Sequence, residues 1–152
     1  MTGGVVWFRN DLRLRDNPAW AEATGNHHQV TALFVVDPQL WDRSPPRRRQ
    51  RLEFHLAALD RRLMNLGGRL RIESGSASVV VPTIADGGRV YWNSDVGPYA
   101  RRRDAAVASV VEHSIHDGRW IIPVGSVRTG AGGPFRVFTP FFNRWRDQTR
   151  EP

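Results

Sequence analysis

Cysteine and lysine are both missing from these 152 residues, and methionine occurs only twice. Without a thiol the chain forms no disulfide, offers no thiolate nucleophile and builds no thiolate metal site, which fits a reducing compartment. Without lysine there is no phosphate-binding P-loop, whose lysine reaches the phosphates. No apolar run is long enough to span a bilayer, and no charged-then-apolar leader follows Met1. Neither membrane insertion nor secretion is expected, and the expected location is the cytoplasm. The first apolar run is not followed by Gly-x-Gly-x-x-Gly, and no Gly-x-Ser-x-Gly occurs. A standard dinucleotide fingerprint and a nucleophile elbow are therefore both excluded.

What is present is a chain with 40% hydrophobic residues and a net charge of +7. That length and content suit one domain with a real core. All 22 basic residues are arginine. Two clusters, Arg47-Arg48-Arg49 with Arg51 and Arg101-Arg102-Arg103, sit at expected helix starts. They read either as solvated or internally paired faces or as contacts to nucleic acid, since basic domains gain affinity by releasing counterions from phosphates.

Apolar runs alternate with helical stretches, the pattern of a parallel sheet covered by helices. The expected fold is α/β, a Rossmann-like, doubly wound, five-stranded parallel sheet with helices on both faces in a single domain. Expected strands are Val5 to Phe8, Val30 to Val36, Arg69 to Glu73, Arg89 to Trp92 and Arg119 to Ile122. Expected helices are Pro18 to Thr24, Arg47 to Leu66, Ser78 to Ala85 and Pro98 to His116. Leu52, Leu56, Leu59, Leu63 and Leu66 recur at helical spacing, Gly67-Gly68 is a helix stop, and Asn17-Pro18 is an N-cap with proline in the first turn. The sheet domain is expected over 1–125. Residues 126–152 form a tail rich in glycine, proline and aromatics, expected to be loop-like and to need cover for Phe135, Val137, Phe138, Phe141, Phe142 and Trp145. "TGAGGP" within it reads as a flexible turn. His113 and His116 read as helix-end or surface histidines rather than metal ligands, and His27-His28 as an exposed turn. No metal site is expected.

In doubly wound sheets ligands bind beyond the carboxyl ends of the strands. If the first strand is central, the loops "RNDLRLRDN", "DPQLW" and "NSDVGPYARRRD" converge there. The first of them raises a question of its own, because a fully apolar strand runs directly into Arg9, Asp11, Arg13, Arg15 and Asp16. Alternating arginine and aspartate can pair among themselves and satisfy a partly buried loop, which makes the segment either a brace or a site.

The stretch "VVWFRNDLRLRDNPAW", together with "VYWNSDVGPYARRRD" and "GGPFRVFTPFFNRW", resembles the amino-terminal part of the DNA photolyase and cryptochrome family, in family order from Val5 to Trp145. The resemblance implies the family's amino-terminal α/β domain, which holds an antenna chromophore: a deazaflavin, a folate or flavin mononucleotide. A larger helical domain carries the catalytic FAD and repairs the lesion by electron transfer. The chain stops where the family's linker would begin, so that FAD-binding helical domain is the expected partner, supplied by other polypeptide or absent altogether. This chain alone is expected to have no catalytic residues and no repair activity, to meet DNA only indirectly, and to self-associate through an exposed apolar patch.

Carried over residue by residue, the resemblance implies that Asp95 hydrogen-bonds the polar ring of a deazaflavin and that Arg48 makes a basic contact. Val35, Val36 and Asp37 would line the pocket through their backbone, with Phe34 and Trp41 packing nearby. Asp95 also reads as an N-cap for the helix beginning near Pro98. Folate-binding members have Asn-Glu where this chain has Tyr99-Ala100, which favours a deazaflavin or flavin mononucleotide, or an empty pocket, over folate. Arg9, Asp11, Arg13 and Asp16 are expected to brace the loop. The six tryptophans are expected to pack rather than to carry electrons. The alternatives are a stand-alone nucleotide-binding or protein-interaction module that kept the fold, and an arginine-rich module contacting DNA.

Overall fold

The structure is a computed structural model that describes residues 3–148. The chain divides into two compact units with the boundary after Gly118, ahead of the boundary expected at residue 125. The first unit contains β1 (Gly4–Phe8), α1 (Pro18–Asn26), β2 (Val30–Val36), α2 (Pro38–Asp42) and α3 (Pro46–Met64). It continues with β3 (Leu70–Ser74), α4 (Ala77–Ala85), β4 (Val90–Asn93), α5 (Pro98–Ala108) and β5 (His113–His116). All strand pairs are parallel, in the order β3-β2-β1-β4-β5, so β1 is central and strand order reverses beside it.

A strand between two neighbours and two helical layers has no solvent face, which is why β1 and β4 are buried at every position. Alternation assigns the residues to layers. Val6 and Phe8 face α1 and α3, where they meet Ala19, Ala23, Leu56, Leu59 and Leu63. Val5 and Trp7 face α4 and α5, where they meet Ala77, Val81, Ala85 and Val107. The leucine ladder of α3 acts through Leu56, Leu59 and Leu63, each contributing about 1.5–3 kcal/mol by burial. Leu66 lies past the helix and is exposed.

Helix ends follow local chemistry. Asn17 caps α1 by accepting from Trp20 N at 3.1 Å, with Pro18 in the first turn. After α3, Gly67 takes φ 80° and Gly68 N donates to Leu63 O at 2.9 Å, closing the helix in a Schellman turn.

Three expectations need correction. The fifth strand is His113–His116, not Arg119 to Ile122, and the preceding helix ends at Ala108 rather than His116. Val107, Val110 and Val111 continue a helical spacing in sequence, but Val110 N turns back to Val107 O and Val90 N then donates to Glu112 O. The sheet edge on β4 takes over the backbone there, so His113 and His116 are edge-strand residues. The tail is also not wholly irregular, because the second unit contains α6 (Phe138–Arg146). In that helix Phe142 stacks on both Phe138 and Trp145, with centroids 5.7 and 5.9 Å apart. "TGAGGP" is a closed turn, Thr129 N donating to Gly133 O at 2.9 Å.

Among the described residues no helix is long and apolar enough to cross a membrane.

Candidate functional site

The carboxyl ends of β1, β2 and β4 carry the polar loops, and a network of buried polar groups ties them together. Arg9 leaves β1 with its side chain 5% exposed and donates to Asp104 of α5 and to the carbonyl of Asn93. Its guanidinium also lies 4.8 Å from the Trp7 ring centroid. Burial lowers the proton affinity of Arg9, and the hydrogen bond and charge of Asp104 oppose that shift. Asn93 donates to Asp11 and, at 2.8 Å, to Asn17 Oδ1. Arg13 donates to the carbonyl of Asp16 at 2.7 Å and to that of Gly118. Asp16 adopts φ 51°, a left-handed conformation that aspartate tolerates better than most residues. Arg15 is exposed.

Asn93, Asn17 and Asp104 were not singled out by sequence reasoning as members of this network. The available signal was a polar residue ending an otherwise apolar strand, at Asn93, and an aspartate about two turns into an arginine-rich helix, at Asp104.

Beside this network lies a cleft of about 300 Å³. Phe34, Val35, Val36, Asp37, Trp41 and Arg48, all marked in the sequence, line it together with Asn10, Leu52 and Arg103 among others. Its walls come from the end of β2, from α2 and from the first turns of α3. Arg49 holds α2 in place by donating to the carbonyls of Ser44 and Asp42 at 2.9 and 2.8 Å, with its guanidinium 5.4 Å from the Trp41 ring centroid. Arg103 pairs with Asp104 and lies 5.0 Å from Trp7. Arg48 differs from these, since its exposed side chain has no hydrogen-bonding or ionic partner among the described residues.

Asp37 accepts from Gln39 N at 2.9 Å, capping α2, and also from the Tyr99 hydroxyl. Tyr99 is held above the ordinary tyrosine range, chiefly by burial and then by its bond to Asp37. Asp95 does not line the cleft. It accepts from Gly97 N at 3.2 Å and from Asn10 Nδ2 at 2.6 Å, so Asn10 stands between it and the cavity. The N-cap of α5 is Gly97, not Asp95.

The histidines are engaged elsewhere. His27 bonds the Tyr91 hydroxyl at 2.8 Å, so it is not a simple exposed turn residue, and His116 contacts Glu22 at 2.6 Å. Among the described residues no cluster of metal-ligating side chains occurs. Trp7 and Trp92 are buried and meet edge to face at 5.7 Å, whereas Trp120 is 41% exposed.

A deoxyribodipyrimidine photo-lyase of Halobacterium salinarum is 35% identical to this chain over 97% of it and 34% of its own length. A bacterial class III photolyase from Agrobacterium tumefaciens superposes with a TM-score of 0.86 at 27% identity, covering 98% of this chain and 32% of that one. An archaeal photolyase from Sulfolobus tokodaii, solved with two FAD molecules that imply a novel light-harvesting cofactor, superposes with a TM-score of 0.81 at 26% identity, over 99% of this chain and 36% of its own. The chain thus spans about a third of the length of these relatives. The DNA photolyase family model matches residues 4–152. With a five-stranded parallel sheet in which β1 is central, and with that match across nearly its whole length, the chain belongs to the DNA photolyase family.

Proposed function

We propose that this chain is the antenna domain of a photolyase or cryptochrome-type protein, serving blue-light-dependent DNA repair or signalling. The observation that carries the reading is the cleft at the end of β2, apolar along Phe34, Trp41 and Leu52 and furnished with the unpaired guanidinium of Arg48. A planar ring with a polar, electron-rich edge suits such a cleft, because apolar walls bury the ring while one cation fixes its orientation. In this reading the ligand is a deazaflavin or flavin mononucleotide rather than folate, and its contribution when bound is absorption of blue light. Asp37 and the backbone of Val35 and Val36 hold the near wall, and Arg48 meets the polar edge. Asp95 acts on the ligand through Asn10, whose amide it orients.

The FAD-binding helical domain, and DNA through it, are partners in this proposal rather than parts of the cleft. Repair by electron transfer is not assigned to any described residue. Purified chain mixed with free FAD should leave thymine dimers intact under blue light, and measurable repair would overturn that part of the reading.

The cleft itself is tested by titrating flavin mononucleotide and a deazaflavin into the protein and following absorption and fluorescence. Arg48→Ala should weaken binding about tenfold to a hundredfold, as expected for loss of one charged hydrogen bond. Its melting temperature should stay near that of the parent, since the side chain has no hydrogen bond or ion pair among the described residues to lose. Equal affinity of parent and variant would overturn the assignment of Arg48. Asp95→Ala should also weaken binding, and unchanged affinity with a lowered melting temperature would confine Asp95 to holding its loop.

A further inference from the structure

β3 is an edge strand: it pairs with β2 on one side and, among the described residues, with no strand on the other. Gly75 N, just past its end, donates inward to Val36 O at 3.0 Å, whereas Leu70 N turns outward to Asp60 Oδ1 at 2.8 Å. Backbone groups alternate in direction along a strand, so those of Arg71 and Glu73 address β2 while those of Leu70, Ile72 and Ser74 address the open edge. Few of the usual devices blunt that edge. The strand has no proline, its register with β2 is unbroken over five residues, and Ile72 is 50% exposed. Arg71 and Glu73 share the face opposite Ile72, where Arg71 Nε donates to Glu73 Oε1 at 2.7 Å. Arg69, beside them, is paired with Asp60 at 3.0 Å. The edge is therefore electrically neutral in a chain of net charge +7, and a second copy can approach it without the repulsion the rest of the surface imposes.

We infer that β3 pairs antiparallel with β3 of a second copy of this chain, joining two sheets into one across a two-fold axis at Ile72. The charge order of "LRIES" is complementary to itself in that arrangement. Ile72 meets its counterpart in a hydrogen-bonded pair, and Arg71 of each chain stands opposite Glu73 of the other in the non-hydrogen-bonded pairs, where side chains come closest. The same charges fix the register. Moving the axis one residue either way sets Arg71 against Arg71 or Glu73 against Glu73, which is unfavourable. Ile72 N and O exchange bonds across the axis, and Ser74 N donates to the Leu70 carbonyl of the other chain, while Leu70 N keeps Asp60. The contact is isologous, so it closes at a dimer. It is independent of the cleft, and its failure would leave the antenna reading untouched.

The experiment exchanges the charges in the full 152-residue chain and follows association by sedimentation up to about 1 mM protein, where even a millimolar Kd is visible. Glu73→Arg and Arg71→Glu each place like charges opposite one another and should weaken the dimer about tenfold or more. The two single variants mixed together should pair as well as the parent does. The double exchange, Arg71→Glu with Glu73→Arg, keeps the net charge and should restore the dimer. Both side chains are partly exposed, 52% and 37%, so melting temperatures should stay close to the parent's. Because the chain has no cysteine of its own, Ile72→Cys carries a single spin label, and labels on Cα atoms about 5.5 Å apart should broaden each other's spectra. Association through another surface would be indifferent to the charge exchanges and would leave the labels uncoupled. A monomeric parent, equal association of all the charge variants, or uncoupled labels at residue 72 would overturn the proposal.

Discussion

Arg9 illustrates what a charge must do when an apolar strand delivers it into the interior. Its partner Asp104 has a side chain only 12% exposed, so removing the guanidinium leaves the Asn93 carbonyl without its donor and the carboxylate with Arg103 alone. Arg9→Ala should therefore cost about 3–5 kcal/mol, read from urea unfolding. Arg15→Ala, on the same loop but exposed, should change stability by no more than about 0.5 kcal/mol. Similar losses for both would show that the buried network contributes nothing specific. Tyr99 adds a pH dependence. Its pKa is raised in the folded state, by burial first and by Asp37 second, so the unfolded chain ionises at lower pH than the folded one. The contribution of the Tyr99 hydroxyl is full below about pH 10, the ordinary tyrosine value, and is lost as pH rises through the raised one. Tyr99→Phe should remove that alkaline loss, and a Tyr99→Phe melting curve with the parent's full alkaline slope would refute the assignment.

At the scale of elements, glycine positions separate local from tertiary causes. Gly67 ends α3 at φ 80°, and alanine there would hold a strained left-handed conformation, so Gly67→Ala should destabilise by about 1–2 kcal/mol. Gly25 lies inside α1 with nothing within 4 Å of an added Cβ, so Gly25→Ala should stabilise by about 0.5–1 kcal/mol. Chemical denaturation of the two variants should move the midpoint in opposite directions. The helix stop at Gly67-Gly68 was legible because a Schellman turn is written in consecutive residues. β5 was not legible, since "HSIH" alternates too briefly to announce a strand and its pairing partner is Val90–Asn93, far away in sequence. Helix α6 was hidden by the prolines and glycines around it, although Phe138, Phe142 and Trp145 follow helical spacing.

At the scale of the whole molecule, the net charge of +7 and the aromatic ladder of α6 are the features on which any self-association should depend. Phe138 is 72% exposed and Val137 63%, an apolar surface of the kind that seeks a partner. Sedimentation at rising concentration should reveal self-association that Phe138→Ser with Phe142→Ser suppresses. A chain that stays monomeric at all concentrations would remove α6 as the contact. Because copies of a +7 chain repel one another, this association should strengthen at high salt, opposite to the salt dependence of binding to nucleic acid.

The sequence by itself determined the features whose information is local or periodic. These are the apolar strands β1 and β2, the leucine face of α3, the Asn17-Pro18 start of α1, and three motifs whose order pointed to the photolyase family. Six residues of the cleft lining, Phe34 to Asp37 with Trp41 and Arg48, were also within reach, because they sit next to a legible strand end and a legible helix start. Only the tertiary structure decided which polar groups meet. Tyr99 reaches Asp37 across 62 residues, Arg9 reaches Asp104 across 95, and Asp95 turns towards Asn10 instead of the cleft. Periodicity reports whether a side chain is buried, not what it is buried against. That second fact depends on strand order, and the order β3-β2-β1-β4-β5 is what brings the loops after β1, β2 and β4 to one end of the sheet.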